Sequence, residues 1–98
     1  MSTAYLNIAT ACLLDNENRL LVVRKRGSRL FMLPGGKKDP GETPMATLLR
    51  ELREELDLSL DSAHLAYLGY FQARAADEPG HEVRADVYVG RLLQKVAV

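Results

Sequence analysis

Residues 36–58 read GKKDPGETPMATLLRELREELDL, a Gly/Pro/Lys segment that gives way within a few residues to leucines at helical spacing. With the three residues before it, LPGGKKDPGE (33–42) holds too much Gly and Pro for a helix or for the interior of a ladder, so it reads as a loop, ordered or mobile. Thr43-Pro44 then offers a capping hydroxyl followed by a proline at the first helical position, where its missing N–H costs nothing. A helix starts there. At about 100° per residue, Met45, Leu48, Leu49, Leu52 and Leu56 fall inside one arc of roughly 100°, the width of a core-facing stripe. The helix therefore buries its leucines and leaves its charges outside.

Working outward, residues 4–14 are apolar and β-prone, and DNEN (15–18) is a turn cluster that leads into a second strand, RLLVVRK (19–25). RGSRLFML (26–33) follows as a short extended piece. Beyond the helix, AYLGYFQARA (66–75) and HEVRADVYVGRLL (81–93) read as strands joined by the hairpin loop AADEPGH (75–81). The second of these alternates Val83, Ala85, Val87 and Val89 against Arg84, Asp86 and Tyr88. The expected architecture is α/β: a mixed β-sheet with the helix packed on it, in one domain over residues 1–98. LLQKVAV at the C-terminus is too short to add another full layer.

The bulk properties exclude several classes of function. The chain carries 13 basic and 13 acidic side chains and is 47% apolar over 98 residues, so nothing draws it over long range to a nucleic-acid polymer or an anionic membrane. Cys12 is the sole cysteine and sits in the apolar run IATACLL, where it reads as a buried small hydrophobe in a reducing cytoplasm. MSTAYLNIAT has no charged-then-apolar signal pattern, and the apolar runs fall well short of the roughly 20 residues that span a bilayer.

The charge on the helix is the functional clue. Glu51, Glu54 and Glu55 stand at i, i+3 and i+4, on one side, where like charges repel. Arg50 and Arg53 project mostly away from them, by about 100° or more for Arg53 against Glu55, so pairwise neutralisation is incomplete. A cation would complete it. Carboxylates without a histidine-rich partner make an oxygen-only site suited to Mg²⁺ or Mn²⁺, whereas His64 and His81 are too isolated to build a zinc site. Gly36 and Gly41 have the glycine spacing of a phosphate-cradling P-loop, but Glu42 and Thr43 follow where that motif demands Lys and then Ser or Thr. A glutamate beside phosphate needs divalent metal between them, which ties Glu42 to the helix acids.

Taken together, residues 36–58 resemble the Nudix box, G-x5-E-x7-R-E-U-x-E-E-x-G-U with U aliphatic. Gly36, Glu42, Arg50, Glu51, Leu52, Glu54, Glu55 and Leu58 match at the required spacing, and Pro34 to Gly36 provide a similar entry. One position departs: Asp57 stands for the glycine that commonly ends the helix in a left-handed conformation, which Asp visits more readily than most residues.

The resemblance implies an α/β/α Nudix-like fold whose C-terminal strand and second helix have almost no sequence left here. A truncated chain, an incompletely recorded one or completion by a partner subunit would each account for this, and an uncovered sheet face would favour association through exposed apolar surface, a homodimer first. The resemblance also implies Mg²⁺-assisted hydrolysis of a pyrophosphate bond in a nucleoside diphosphate linked to another group. Glu51, Glu54 and Glu55 would be metal ligands, with the Gly35 carbonyl added by analogy. Glu51 would also serve as general base, Arg50 would orient a glutamate, and Glu42 would tether the loop or join the cluster through water. Family members differ on the base, and Glu78 and Glu82 are the candidates for a later carboxylate. Arg24, Lys25, Arg26 and Arg29 are candidates for substrate phosphates. Arg74 and Ala76 occupy places where some subfamilies carry a proline or tyrosine, which favours a nucleoside triphosphate pyrophosphohydrolase, with ADP-ribose-like substrates next. The alternative is a Nudix-fold module that binds a nucleotide or protein without hydrolysis.

Overall fold

The structure is a computed structural model that describes residues 4–24, 26–74 and 80–92. Its elements are β1 (Ala4–Leu14), β2 (Gly35–Lys37), α1 (Pro44–Leu56), a 3₁₀ turn (Ser62–His64), β3 (Leu65–Arg74) and β4 (His81–Arg91). The four strands form one mixed sheet in the order β2-β1-β4-β3. β1 runs parallel to β4 and antiparallel to β2, and β3 pairs antiparallel with β4 across a bulge between Tyr67 and Gly69. The α/β architecture expected from the sequence is the one observed, with α1 as the helix that covers the sheet among the described residues.

The helix begins as its cap predicts. Thr43 Oγ1 accepts the Ala46 N–H at 3.1 Å, and Pro44 occupies the first turn. Leu48 and Leu52 are fully buried, while Met45, Leu49 and Leu56 pack at the margin of the same core. Opposite them lie Ala9, Ala11 and Leu13 of β1, Leu65 of β3 and Tyr88 of β4. Small residues on β1 let α1 approach the strand, and each buried leucine contributes about 1.5–3 kcal/mol. The two rows of β4 take opposite faces of the sheet: Tyr88, on the mixed polar row, faces the helix, so the row from Val83 to Val89 lies on the other face.

Two expectations are corrected. Of the strand expected over 19–25, residues 19–24 form no continuous strand, and among the described residues isolated bridges stand in its place, Leu14 to Leu20 and Val23 to Met32; Lys25 lies outside the described residues. The edge of β1 is shared: Leu13 O accepts Leu21 N–H at 2.9 Å, but Ala11 N–H is taken by Pro34 O at 3.1 Å, and from Thr10 to Ile8 the partner is β2. No single segment can claim the whole edge. The second correction is β2 itself, which lies inside the glycine-rich segment read as a loop. Gly35 has φ of 143°, and a Cβ there would stand 2.1 Å from the Ala9 carbonyl oxygen. Glycine makes this pairing possible because the two backbones come closer than a side chain permits.

α1 ends as expected despite its departure from the glycine pattern. Asp57 adopts φ 52°, ψ 38°; its N–H donates to Arg53 O at 3.0 Å, and Leu58 N–H donates to Leu52 O at 3.2 Å. These bonds satisfy helix-end carbonyls and drop Leu58 into the core, 1% exposed. Among the described residues no helix is long and apolar enough to cross a membrane.

Candidate active site

The site is built where β2, the loop after it and α1 meet. Asp39 to Glu42 turn back on themselves, with Glu42 N–H donating to Asp39 O at 3.1 Å and Gly41 at φ 83°. This brings Glu42 over the first turns of α1. Its carboxylate accepts Arg50 Nε on Oε2 at 2.8 Å and Arg50 Nη2 on Oε1 at 2.9 Å, a two-pronged charge-assisted pair. Oε1 also accepts Asp39 N–H at 2.8 Å and Thr47 Oγ1–H at 2.9 Å. The Arg50 guanidinium, followed by the Asp39 amide, holds the Glu42 carboxyl at about 2, below its ordinary 4.5. Reciprocally, the bond to Glu42 raises Arg50 further above its usual range.

Arg50 spends its remaining donors on the other acids. Nη1 donates to Glu51 Oε1 at 2.9 Å and to Glu54 Oε2 at 3.2 Å, and Nη2 donates to the Lys37 carbonyl at 3.1 Å. Here the sequence argument is corrected, for Arg50 does not project away from the glutamates. Its long side chain folds back along the helix to reach the residue beside it and the one four positions on. Glu51 packs against the backbone of Gly36, where a Cβ would lie 2.4 Å from the Glu51 carboxyl carbon. Glu55 receives Gly35 N–H on Oε1 at a long 3.4 Å. Thus Glu42, Glu51, Glu54 and Glu55 converge with Gly35 and Gly36 on one junction of strand, loop and helix.

Their chemistry is uneven. Glu51 is half-buried, its side chain 21% exposed, whereas that of Glu54 is 60% exposed. Among the described residues no three His, Cys, Asp or Glu side chains are gathered tightly enough to form a ready metal cage. The donor set nevertheless fits a hard divalent cation. The acids of this junction are carboxylates, and Gly36 leaves the Glu51 carboxylate a cradle that any side chain would fill. The helix face holds neither imidazole nor thiolate.

Other candidates lie elsewhere. Glu82 is near the start of β4, paired with Tyr5 and Arg74 and two strands from β2. Glu78, Lys25 and Ala76 lie outside the described residues. Arg24 stacks on the Phe31 ring at 5.5 Å, and Arg26 and Arg29 are exposed. His64 belongs to the 3₁₀ turn and His81 opens β4. Thr47, Asp39 and the Lys37 carbonyl were not singled out in the sequence. A helical projection could have found Thr47, which is three residues before Arg50 and four after the cap.

With this geometry in hand, comparison with known proteins is decisive for family. The NUDIX domain model matches residues 5–96. The chain belongs to the NUDIX domain family. Members of this family generally depend on divalent metal and act on small nucleotide-type molecules. Two Bacillus subtilis (strain 168) proteins are similar. One is named an uncharacterized Nudix hydrolase, YvcI, 31% identical over 61 residues, or 62% of this chain and 39% of that protein. The other, provisionally named an 8-oxo-dGTP diphosphatase, is 30% identical over 77 residues, 79% of this chain and 50% of that protein. This NUDIX chain thus spans half or less of the length of those relatives. The crystal structure of a MutT protein from Methanosarcina mazei Go1 superposes over 100% of this chain and 72% of its own at a TM-score of 0.79, with 22% identity, a likeness of fold.

Proposed function

We propose that this NUDIX domain hydrolyses a pyrophosphate bond in a nucleoside diphosphate linked to another group, assisted by Mg²⁺ or Mn²⁺. A nucleoside triphosphate is the favoured substrate, and the name carried by the second Bacillus subtilis relative supports that preference. The observation that carries the reading is the Arg50 hub, which gathers Glu42, Glu51 and Glu54 at one guanidinium next to the Gly35–Gly36 backbone.

In this reading Glu51, Glu54 and Glu55, with the Gly35 carbonyl, hold the ion. When bound, a divalent cation offsets charge on the phosphates in the transition state and acidifies the attacking water. Water adds to phosphorus as the bridging P–O bond breaks, and the bridging oxygen leaves with the departing phosphate. Glu51 takes the water proton on Oε2, because Arg50 already engages Oε1. Arg50 keeps that carboxylate oriented and limits repulsion with Glu54. Glu42 is held by donors from Asp39, Thr47 and Arg50, three of them on Oε1, so its part is to tether the loop and aim Arg50, not to bind the ion. The lone Cys12, which has no disulfide partner in the chain, supports a reducing, cytoplasmic setting for this activity.

The test is a panel assay of the purified protein with nucleoside triphosphates, ADP-ribose and dinucleoside polyphosphates, with Mg²⁺ or Mn²⁺ and with chelator. Metal-dependent release of pyrophosphate or nucleoside monophosphate is expected. A folded protein that binds nucleotide by calorimetry but releases nothing overturns hydrolysis and selects a binding module instead.

A further inference from the structure

Thr47 is fully buried on α1, yet it lies outside the leucine stripe, one turn before Arg50 and Glu51 on the helix face that carries the acids. A buried hydroxyl is unfavourable unless it is hydrogen-bonded, and threonine is a weaker helix former than the alanine or leucine that could stand there. What it supplies is one bond: Oγ1–H donates to Glu42 Oε1 at 2.9 Å. That oxygen also takes the Asp39 N–H and Arg50 Nη2, so three donors fix its position. Of those three residues only Thr47 is fully buried; Asp39 is exposed and Arg50 half-buried. The buried donor is the one that solvent cannot readily replace.

Glu42 in turn sets the plane of the Arg50 guanidinium through two parallel bonds, and Arg50 divides its other N–H groups between Glu51, Glu54 and the Lys37 carbonyl. A rotation of the Glu42 carboxylate would carry Arg50 with it and shift both helix acids. We infer that Thr47 is a positioning residue: its hydroxyl fixes Glu42, and through Arg50 it fixes the orientation of Glu51 and Glu54. Thr47 falls among the seven variable positions between Glu42 and Arg50 of the motif, so the motif itself assigns it nothing. The inference deepens the proposed function and rests on its reading of Glu51 and Glu54 as site carboxylates.

Two substitutions in the full chain separate the hydroxyl from the methyl. Thr47→Val keeps the shape and removes the donor; Thr47→Ser keeps the donor and removes the methyl. Three readouts are followed: solvent exchange of the Arg50 Nε–H by ¹⁵N NMR, Mn²⁺ affinity by calorimetry, and Mg²⁺-dependent hydrolysis of a nucleoside triphosphate. In Thr47→Val the Nε–H exchange should quicken, while Mn²⁺ affinity and kcat each fall about tenfold and KM stays near wild type. Thr47→Ser should stay close to wild type on all three. Should the valine variant fail to fold, Thr47→Ala removes the same hydroxyl and must give the same losses. A valine or alanine variant that matches wild type throughout overturns the inference, and so does a serine variant as impaired as valine. If wild type hydrolyses nothing while exchange and Mn²⁺ affinity still divide valine from serine, hydrolysis falls and the positioning role of Thr47 stands.

Discussion

The two edges of the sheet are built on opposite terms. At the β2 edge the strand is three residues long, glycine-rich, and closed over by α1, with its neighbouring polar groups taken up by the Arg50 hub. At the β3 edge the strand is ten residues long and exposes Tyr67, Leu68, Tyr70 and Phe71, each at least half open. The difference teaches what a site requires: beside β2 the Glu55 carboxylate takes the Gly35 N–H, Arg50 takes the Lys37 carbonyl and Glu51 fills the space at Gly36, so few substitutions are neutral, while along β3 the large side chains stand open to solvent. Polar order at β3 is local, as in the Tyr67 hydroxyl that donates to Asp86 at 2.7 Å and is held up at about 12 by that carboxylate.

The sharpest way to break this comparison is at the acids. Glu54→Gln and Glu55→Gln are each expected to lower turnover by about two orders of magnitude or more with unchanged circular dichroism, whereas Tyr70→Ala on β3 should leave kcat within about twofold. Near-normal Mg²⁺-dependent hydrolysis in both glutamine variants would remove these residues from the site.

Stability should show the same asymmetry. Gly35→Ala forces a Cβ against the Ala9 carbonyl at 2.1 Å with φ at 143°, and a loss of about 2–4 kcal/mol in urea unfolding is expected. Phe71→Ala, at a side chain 53% exposed, should cost no more than about 1 kcal/mol. Equal losses at the two positions would mean that the β3 edge is packed against something the comparison omits.

Acid should weaken the β2 side by a definite route. The Glu42 carboxyl lies at about 2 when folded against an ordinary 4.5, first because Arg50 hydrogen-bonds it. A lowered folded-state value means that the stability it brings is fully present above about 4.5 and drains away as pH falls toward 2, since only then does the native state take up the proton. Wild type should therefore lose urea resistance more steeply between pH 5 and 2 than Glu42→Gln, in which this contribution is missing at every pH. Parallel curves for the two proteins would show that Arg50 does not hold Glu42 in solution.

What could be read from the chain divides along the same line. The limits of α1, its leucine stripe and the eight matching motif positions are written in side chains, which pattern and spacing report directly. β2 is not: its pairing depends on backbones approaching where Gly35 carries no side chain, and composition alone signals a loop. The absence of a continuous strand at 19–24 follows from competition for the edge of β1 by residues distant in sequence. Arg50 was misplaced because a helical projection gives the direction of Cα–Cβ, and a guanidinium several bonds further out can turn back to its neighbours. Thr47 differs, since a projection puts it one turn before Arg50 but cannot show its bond to Glu42, which lies outside the helix.

The smallest effect concerns the one motif position where the chain departs from pattern. Asp57 ends α1 in the left-handed region, φ 52°, with its N–H on the Arg53 carbonyl. Asp57→Gly relieves a steric cost that Asp bears less than most residues, but glycine also frees the unfolded chain, and the two oppose each other. A gain of no more than about 1 kcal/mol is expected in thermal or urea unfolding, with kcat unchanged, because Leu58 already reaches the core and the helix-end bonds are already made. A gain in kcat without a gain in stability would point elsewhere: the carboxylate of Asp57, two residues from Glu55, would then be acting on the charge of the site and not on the shape of the helix end.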